Sequence, residues 1–186
     1  CECIKTLSLW VKQTLKDALA LPEFQIVKLN FTTYGASFVH IDALGNPVAP
    51  LYNYLKKYPE ELLEQFYTDY GPVEKFSRET SSPVLGMLNS GLQLYWLKYG
   101  KPEIFRKIHR SLHLPQYISF LFTGKMVSEY TSIGCHTGLW DFSKNNYHAW
   151  VKKESSDQIL PEVVDTTTSF AKSFDQHIMS VGVGVH

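Results

Sequence analysis

The sequence predicts an α/β domain, and three observations carry that expectation. Apolar residues recur at helical spacing at the start, where Ile4, Leu7, Val11, Leu15 and Ala18 share one face. Two strand-like runs follow on either side of Gly35. The chain then ends on VGVGVH, in which Val181, Val183 and Val185 alternate with Gly182 and Gly184. That period of two reads as a buried strand, and its two glycines suggest close approach of another backbone.

Taken in order, residues 3 to 20 form an amphipathic helix ended before Pro22. Ile26, Leu29 and Phe31 begin a strand, and residues 36 to 41 make another. Gly45-Asn46-Pro47 then reverses the chain into a hairpin. PEELLEQFYTDYG reads as a helix with Pro59 at its start and Gly71 past its end. Leu88, Leu92, Tyr95 and Trp96 lie on a further helix closed by Gly100, and KPEIFRKIHRSL reads as a short helix. LPQYISFLFTGK is another helix, opened by Pro115 and capped by Gly124. The irregular stretch that follows holds Trp140, Phe142, Tyr147 and Trp150, so it must pack on the body of the domain. LPEVV and a Thr/Ser-rich run lead to the last strand.

Composition narrows the function classes. The 186 residues are 44% hydrophobic and 14% aromatic, enough for a packed core. Lys+Arg and Asp+Glu are both 18, which leaves no electrostatic footprint for nucleic acid or an anionic membrane. No apolar run is long enough to span a bilayer, and CECIKTLSLW does not read as a signal peptide. Three cysteines are an odd number, read as reduced thiols in the cytoplasm. Cys1 and Cys3 have no second ligand pair to complete a metal site.

The usual chemical signatures are missing. There is no Walker phosphate loop, no G-x-G-x-x-G after a strand and no G-x-S-x-G elbow. Glu60, Glu61 and Glu64 read as a solvated helix face. Cys135 and His136 are adjacent, which seldom lets a thiol and an imidazole face each other, and His113 and His148 read as packed or solvent-facing. Residues alone therefore yield a domain with a ligand-facing last strand, and no reaction.

Four segments in order resemble the FGGY family of carbohydrate kinases. LPQYISFLFTGKMVSEYTSIGCHTGLWDF is similar to that family's L-P-D-Y-x-x-x-x-L-T-G motif, its T/S-N-A run and its T-x-L-x-D. TYGASFVHIDALGNPV resembles the T-W-G-V-D-F-x-x-x-D-x-x-G stretch of the rhamnulokinase branch, and NSGLQLYWLK the family helix T-x-x-K-x-x-W. VGVGVH resembles the strand G-x-G-x-H-D, whose aspartate is the catalytic base.

The resemblance implies an actin-like, ribonuclease-H-like α/β fold, partial here and with inserted helices. It implies transfer of the γ-phosphoryl group of ATP, with Mg2+, to a hydroxyl of a ketose or related sugar. Residues 1–186 are expected to form most of the first, sugar-binding domain. The D-x-G-T-T phosphate-loop strands are expected before Cys1, and the base and the ATP-binding domain after His186. No catalytic residue is then expected within the chain, and nucleotide and metal fall mainly to parts outside it.

Thr33, Tyr34, Gly35 and Ser37 match the family's sugar-binding strand turn, and His186 matches the histidine beside the base. Ser37 replaces an aspartate, Gln93 the helix lysine, Gln116 the aspartate of L-P-D-Y, and NYLKKYP from Asn53 the usual W-x-D-x-R. Gln116, Thr137 and Asp141 read as turn or helix-end hydrogen-bonding positions, and Trp96 as core. A small sugar is the implied partner, with no nucleic acid and no membrane, and a homodimer is left open. The other class of reading is a non-catalytic sugar-binding or scaffold protein on the same fold.

Overall fold

The structure, a computed structural model, describes residues 3–174 and 177–186, so Cys1 lies outside the described residues. Helix α1 (Ile4–Leu19) buries Ile4, Val11 and Leu15, the stripe its spacing requires. The strand-like run that follows is short: β1 is Lys28–Leu29, and Thr32 adds one isolated bridge to Val185. Strand β2 (Phe38–Ile41) is buried on both faces.

The expected hairpin after β2 is reduced to a tight reversal. Asp42 N–H donates to the Asn46 carbonyl at 2.9 Å and Val48 N–H to that of His40 at 2.9 Å, but only Ile41 bridges back, to Pro47. Proline has no N–H to extend a ladder. The true partner of β2 is β3 (Arg110–His113), antiparallel, with Phe38 opposite His113 and Ile41 opposite Arg110.

This corrects the helix expected over KPEIFRKIHRSL. The helical part is α5 (Pro102–Phe105), while α2 (Glu60–Tyr70), α3 (Val73–Thr80) and α4 (Ser90–Gly100) precede it. Ser111, Leu112 and His113 are buried in succession, a run that suits a strand covered on both sides.

Helix α6 (Leu114–Thr123) follows directly and ends at Gly124 in the left-handed region, φ 67°. Next come β4 (Val127–Glu129), the one-turn α7 (Tyr130–Ile133), the hairpin of β5 (Trp140–Asp141) with β6 (Asn146–Tyr147), and α8 (Ala149–Lys153). Strand β7 (Glu162–Val164) pairs parallel with β4. Strands β8 (Ser169–Phe174) and β9 (His177–Gly182) form an antiparallel pair, and β9 also receives β1 in parallel, giving the order β1-β9-β8.

The terminal VGVGVH is thus not one strand. It is the end of β9, a left-handed turn at Gly184 with φ 82°, and a single bridge at Val185.

Two apolar clusters hold these elements. In the larger, Phe66 on α2 is fully buried, and its ring meets those of Phe76, Tyr95 and Trp150 near-perpendicularly at 5.3, 5.1 and 5.1 Å. The second joins α1 and α6 to β2 and β3 through Val11, Val39, Ile41, Leu112 and Tyr117. Trp140, Tyr147 and Trp150 pack into the first cluster as expected, but Phe142 stays half exposed.

Candidate functional site

The parallel pairing of β1 with β9, continued by the bridge of Thr32 to Val185, lays residues 28 to 32 alongside residues 180 to 185. Ser180 N–H donates to the Val27 carbonyl at 3.0 Å and Val185 N–H to the Phe31 carbonyl at 2.8 Å. Asn30 Oδ1 accepts the Gly184 N–H at 3.0 Å. This register brings His186 beside Thr33: the imidazole Nδ1 is 3.1 Å from the Thr33 carbonyl oxygen, across 153 residues of sequence. The ring also lies against Gly35, where a Cβ would sit 2.6 Å from His186 Cγ.

Tyr34 and Ser37 line a neighbouring cavity of about 310 Å³ with Leu51, Tyr52, Asn53, Tyr54 and Leu55. The Tyr34 and Tyr54 rings are 5.8 Å apart and tilted by 55°. Ser37 is 1% exposed, and its hydroxyl donates to the Tyr52 carbonyl at 3.4 Å. Gln93 on α4 holds the turn before it, since Nε2 donates to the carbonyls of Ala36 at 2.7 Å and Met87 at 2.6 Å.

Of the five sequence-derived site residues, Thr33, Gly35 and His186 are therefore in contact, and Tyr34 and Ser37 wall the adjoining cavity. A larger groove of about 520 Å³ lies between α1 and residues 26 to 34. Its walls are almost wholly apolar, with Trp10, Leu29 and Phe31 among them, so it offers few groups to read hydroxyls.

Buried histidines stand behind the site. His113 Nε2 is 2.9 Å from Ser90 Oγ, and His40 Nδ1 is 2.9 Å from Ser111 Oγ. Burial pushes His40 down to about 3; burial, then His186 and His40, push His113 down to about 3. Both imidazoles are therefore neutral hydrogen-bonding groups. Burial raises the Cys135 thiol, and His136 turns instead to the Ser81 carbonyl, 3.2 Å from its Nδ1. They do not form a nucleophile pair.

Asp141 accepts from Ser143 and Lys144 as a turn residue. Burial works to raise its pKa, but the bonds from Lys144 and Ser143 outweigh it and hold the carboxyl at about 2. Thr137 donates to the Ile133 carbonyl, also a local bond.

Two side chains near the site carried no sequence signal of their own. Thr131 Oγ1 accepts the His186 N–H at 2.9 Å, and the buried Glu129 binds Thr131. Gln116 does more than end a helix, since its Nε2 donates to the Gly184 carbonyl at 2.7 Å. Only the packed structure shows that Thr131 and Gln116 meet the segment after β9, with Glu129 bound to both.

Known proteins agree with this architecture. A rhamnulokinase of Halalkalibacterium halodurans is 29% identical over 125 residues, 62% of this chain and 26% of the relative. One of Oceanobacillus iheyensis is 27% identical over 124 residues, covering 63% and 26%. The match thus spans about a quarter of the length of these curated relatives.

Among solved structures, a carbohydrate kinase from Novosphingobium aromaticivorans superposes with TM-score 0.82 at 24% identity, over 98% of this chain and 40% of its own. A ligand-bound xylulose kinase from Lactobacillus acidophilus gives TM-score 0.83 at 17% identity, over 97% and 38%. These likenesses show the α/β, actin-like ATPase fold. The profile of the FGGY family of carbohydrate kinases, N-terminal domain, matches residues 2–186, and the chain belongs to that family.

Proposed function

We propose that this chain forms most of the sugar-binding first domain of a kinase that transfers the γ-phosphoryl group of ATP to a hydroxyl of a ketose or related sugar. The observation that carries this reading is the meeting of His186 with Thr33 and Gly35 beside the cavity of Tyr34 and Ser37. The two halves come from chain ends 153 residues apart, and sites in open α/β sheets are built where such strand ends converge. The likeness to rhamnulokinases makes L-rhamnulose the first sugar to test.

In this reading the His186 imidazole reaches a sugar hydroxyl through Nε2 while Nδ1 faces the Thr33 carbonyl. Tyr34 and Tyr54 offer ring faces to the apolar side of the sugar, and Asn53 a polar edge. The cavity wall carries no charged side chain, which favours a neutral sugar over a sugar acid.

The FGGY kinase family implies use of ATP, typically with Mg2+, and this reading leaves both mainly to parts other than the described residues. Among the described residues there is no group of three or more His, Cys, Asp or Glu able to hold a metal, and no Lys or Arg lines the cavity. This chain's own contribution is to bind and orient the sugar. Among the described residues no helix is long and apolar enough to cross a membrane.

Calorimetric titration of the chain with L-rhamnulose, D-xylulose and gluconate tests the reading. A neutral ketose should bind, and His186→Ala should weaken it about ten-fold, the effect of one lost hydrogen bond with some charge assistance. Absence of binding by any sugar, or full affinity in a folded His186→Ala chain, would overturn it.

A further inference from the structure

Glu129 ends β4 and is 0% exposed, a place where a carboxylate is rarely found without dedicated partners. Five donors converge on it. Oε1 accepts from Thr131 Oγ1 at 2.8 Å, Ser132 N–H at 2.8 Å and Gln116 Nε2 at 3.2 Å. Oε2 accepts from Thr131 N–H at 2.7 Å and Thr166 Oγ1 at 3.1 Å. Every partner donates, so a group that only accepts is required, and an amide would set N–H against N–H.

Two of those partners reach the terminal segment. Thr131 gives its hydroxyl proton to Glu129 and, with its oxygen lone pair, accepts the His186 N–H at 2.9 Å. Gln116 Nε2 is shared among Glu129, Ser132 Oγ at 2.9 Å and the Gly184 carbonyl at 2.7 Å. The carboxylate gives the Thr131 hydroxyl proton and the Gln116 amide an acceptor, and so holds both side chains where they meet His186 and Gly184. With its proton committed to Glu129, the Thr131 hydroxyl presents a lone pair to His186.

We propose that Glu129 is a positioning residue for the sugar site: through Thr131 and Gln116 it clamps residues 184–186 and sets where the His186 ring stands. The inference rests on reading His186 as a sugar contact. Capping α7 explains the two backbone bonds to Glu129, but not the lines to Gly184 and His186.

Amide hydrogen exchange of the isotope-labelled chain tests the clamp directly, with the β2 amides of Val39 and His40 as internal reference. Glu129→Gln and Thr131→Val should speed His186 exchange about ten-fold relative to β2. Thr131→Ser, which keeps the hydroxyl, should restore the wild-type rate. L-rhamnulose affinity should follow the same order.

Thr131→Val carries the test should Glu129→Gln not fold. An unchanged His186 rate in the folded variants, or equal acceleration across β2, would overturn the clamp. Wild-type chain that binds no sugar but shows the expected exchange pattern would uphold the clamp and remove only the sugar reading.

Discussion

The His186 ring occupies the space where any side chain on Gly35 would begin, with a Cβ there 2.6 Å from Cγ of the imidazole. Gly35→Ala should therefore displace the ring without straining its own backbone, whose φ is not in the left-handed region. L-rhamnulose affinity should fall about ten-fold, as for loss of one hydrogen bond. The midpoint of thermal unfolding should move by only a few degrees. Titration and melting on one preparation would show the split; unchanged affinity would mean the ring has room to move aside.

Gly184→Ala should behave in the opposite way, as a fold defect. Its φ is 82°, and a Cβ would lie 2.3 Å from the Pro115 carbonyl oxygen, which belongs to rigid backbone of α6. The expected cost is about 2 kcal/mol or more, measured by urea unfolding. Gly182→Ala should cost less, because the atoms it meets belong to the Asn30 side chain.

Acid should weaken the fold through its buried histidines. Burial lowers His40 to about 3, and burial, with smaller effects of His186 and His40, lowers His113 to about 3, whereas an unfolded histidine titrates near 6.5. Their contribution is complete above 6.5 and is lost progressively as the pH falls toward 3. Each can contribute a slope of up to about 1.4 kcal/mol per pH unit within that window. Urea unfolding at pH 7, 6 and 5 should show the decline, and His40→Phe should flatten it. Equal stability at pH 7 and 5 would contradict neutral burial.

Phe66→Ala removes the ring at the centre of the larger cluster and should cost about 3–5 kcal/mol. The rings that Phe66 meets are those of Tyr67, Tyr70, Phe76, Tyr95 and Trp150, none of them in the proposed sugar site, so the folded variant should bind L-rhamnulose as the unaltered chain does. Fluorescence-monitored unfolding and titration would separate these two effects.

The sequence marks helices well where capping chemistry is local. Pro59 and Gly71 bracket α2, and Pro115 and Gly124 bracket α6, as expected. It marks poorly what depends on distant partners. Arg110–His113 looks helical because Ile104, Ile108 and Leu112 fall at i, i+4 and i+8, yet β2 claims the segment as a strand. Strand β8 hides in a polar run because its alternation is shallow, with half-buried residues on one side and exposed residues on the other.

For the site, the identities of Thr33, Gly35 and His186 were legible through resemblance to a family, but their contact was not, since it spans 153 residues. Nothing in the sequence marks Glu129 and Thr131, because SEYTS reads as an ordinary polar turn. What sets them apart is that five donors converge on one buried carboxylate, a property of packing.

The pairing of β1 with β9 also has a timing. Lys28 meets Ser180 and Leu29 meets Val181, so the β1 edge must wait for the far end of the chain to be made. At a synthesis rate of about 5–20 residues per second, that wait is roughly 8–30 s. Over that interval Leu29 and Phe31 stand beside an open, apolar groove with no ladder to satisfy the neighbouring backbone. A nascent chain is most exposed to misassociation through this edge, and slowing translation between residues 30 and 180 should lengthen that exposure without altering the finished fold.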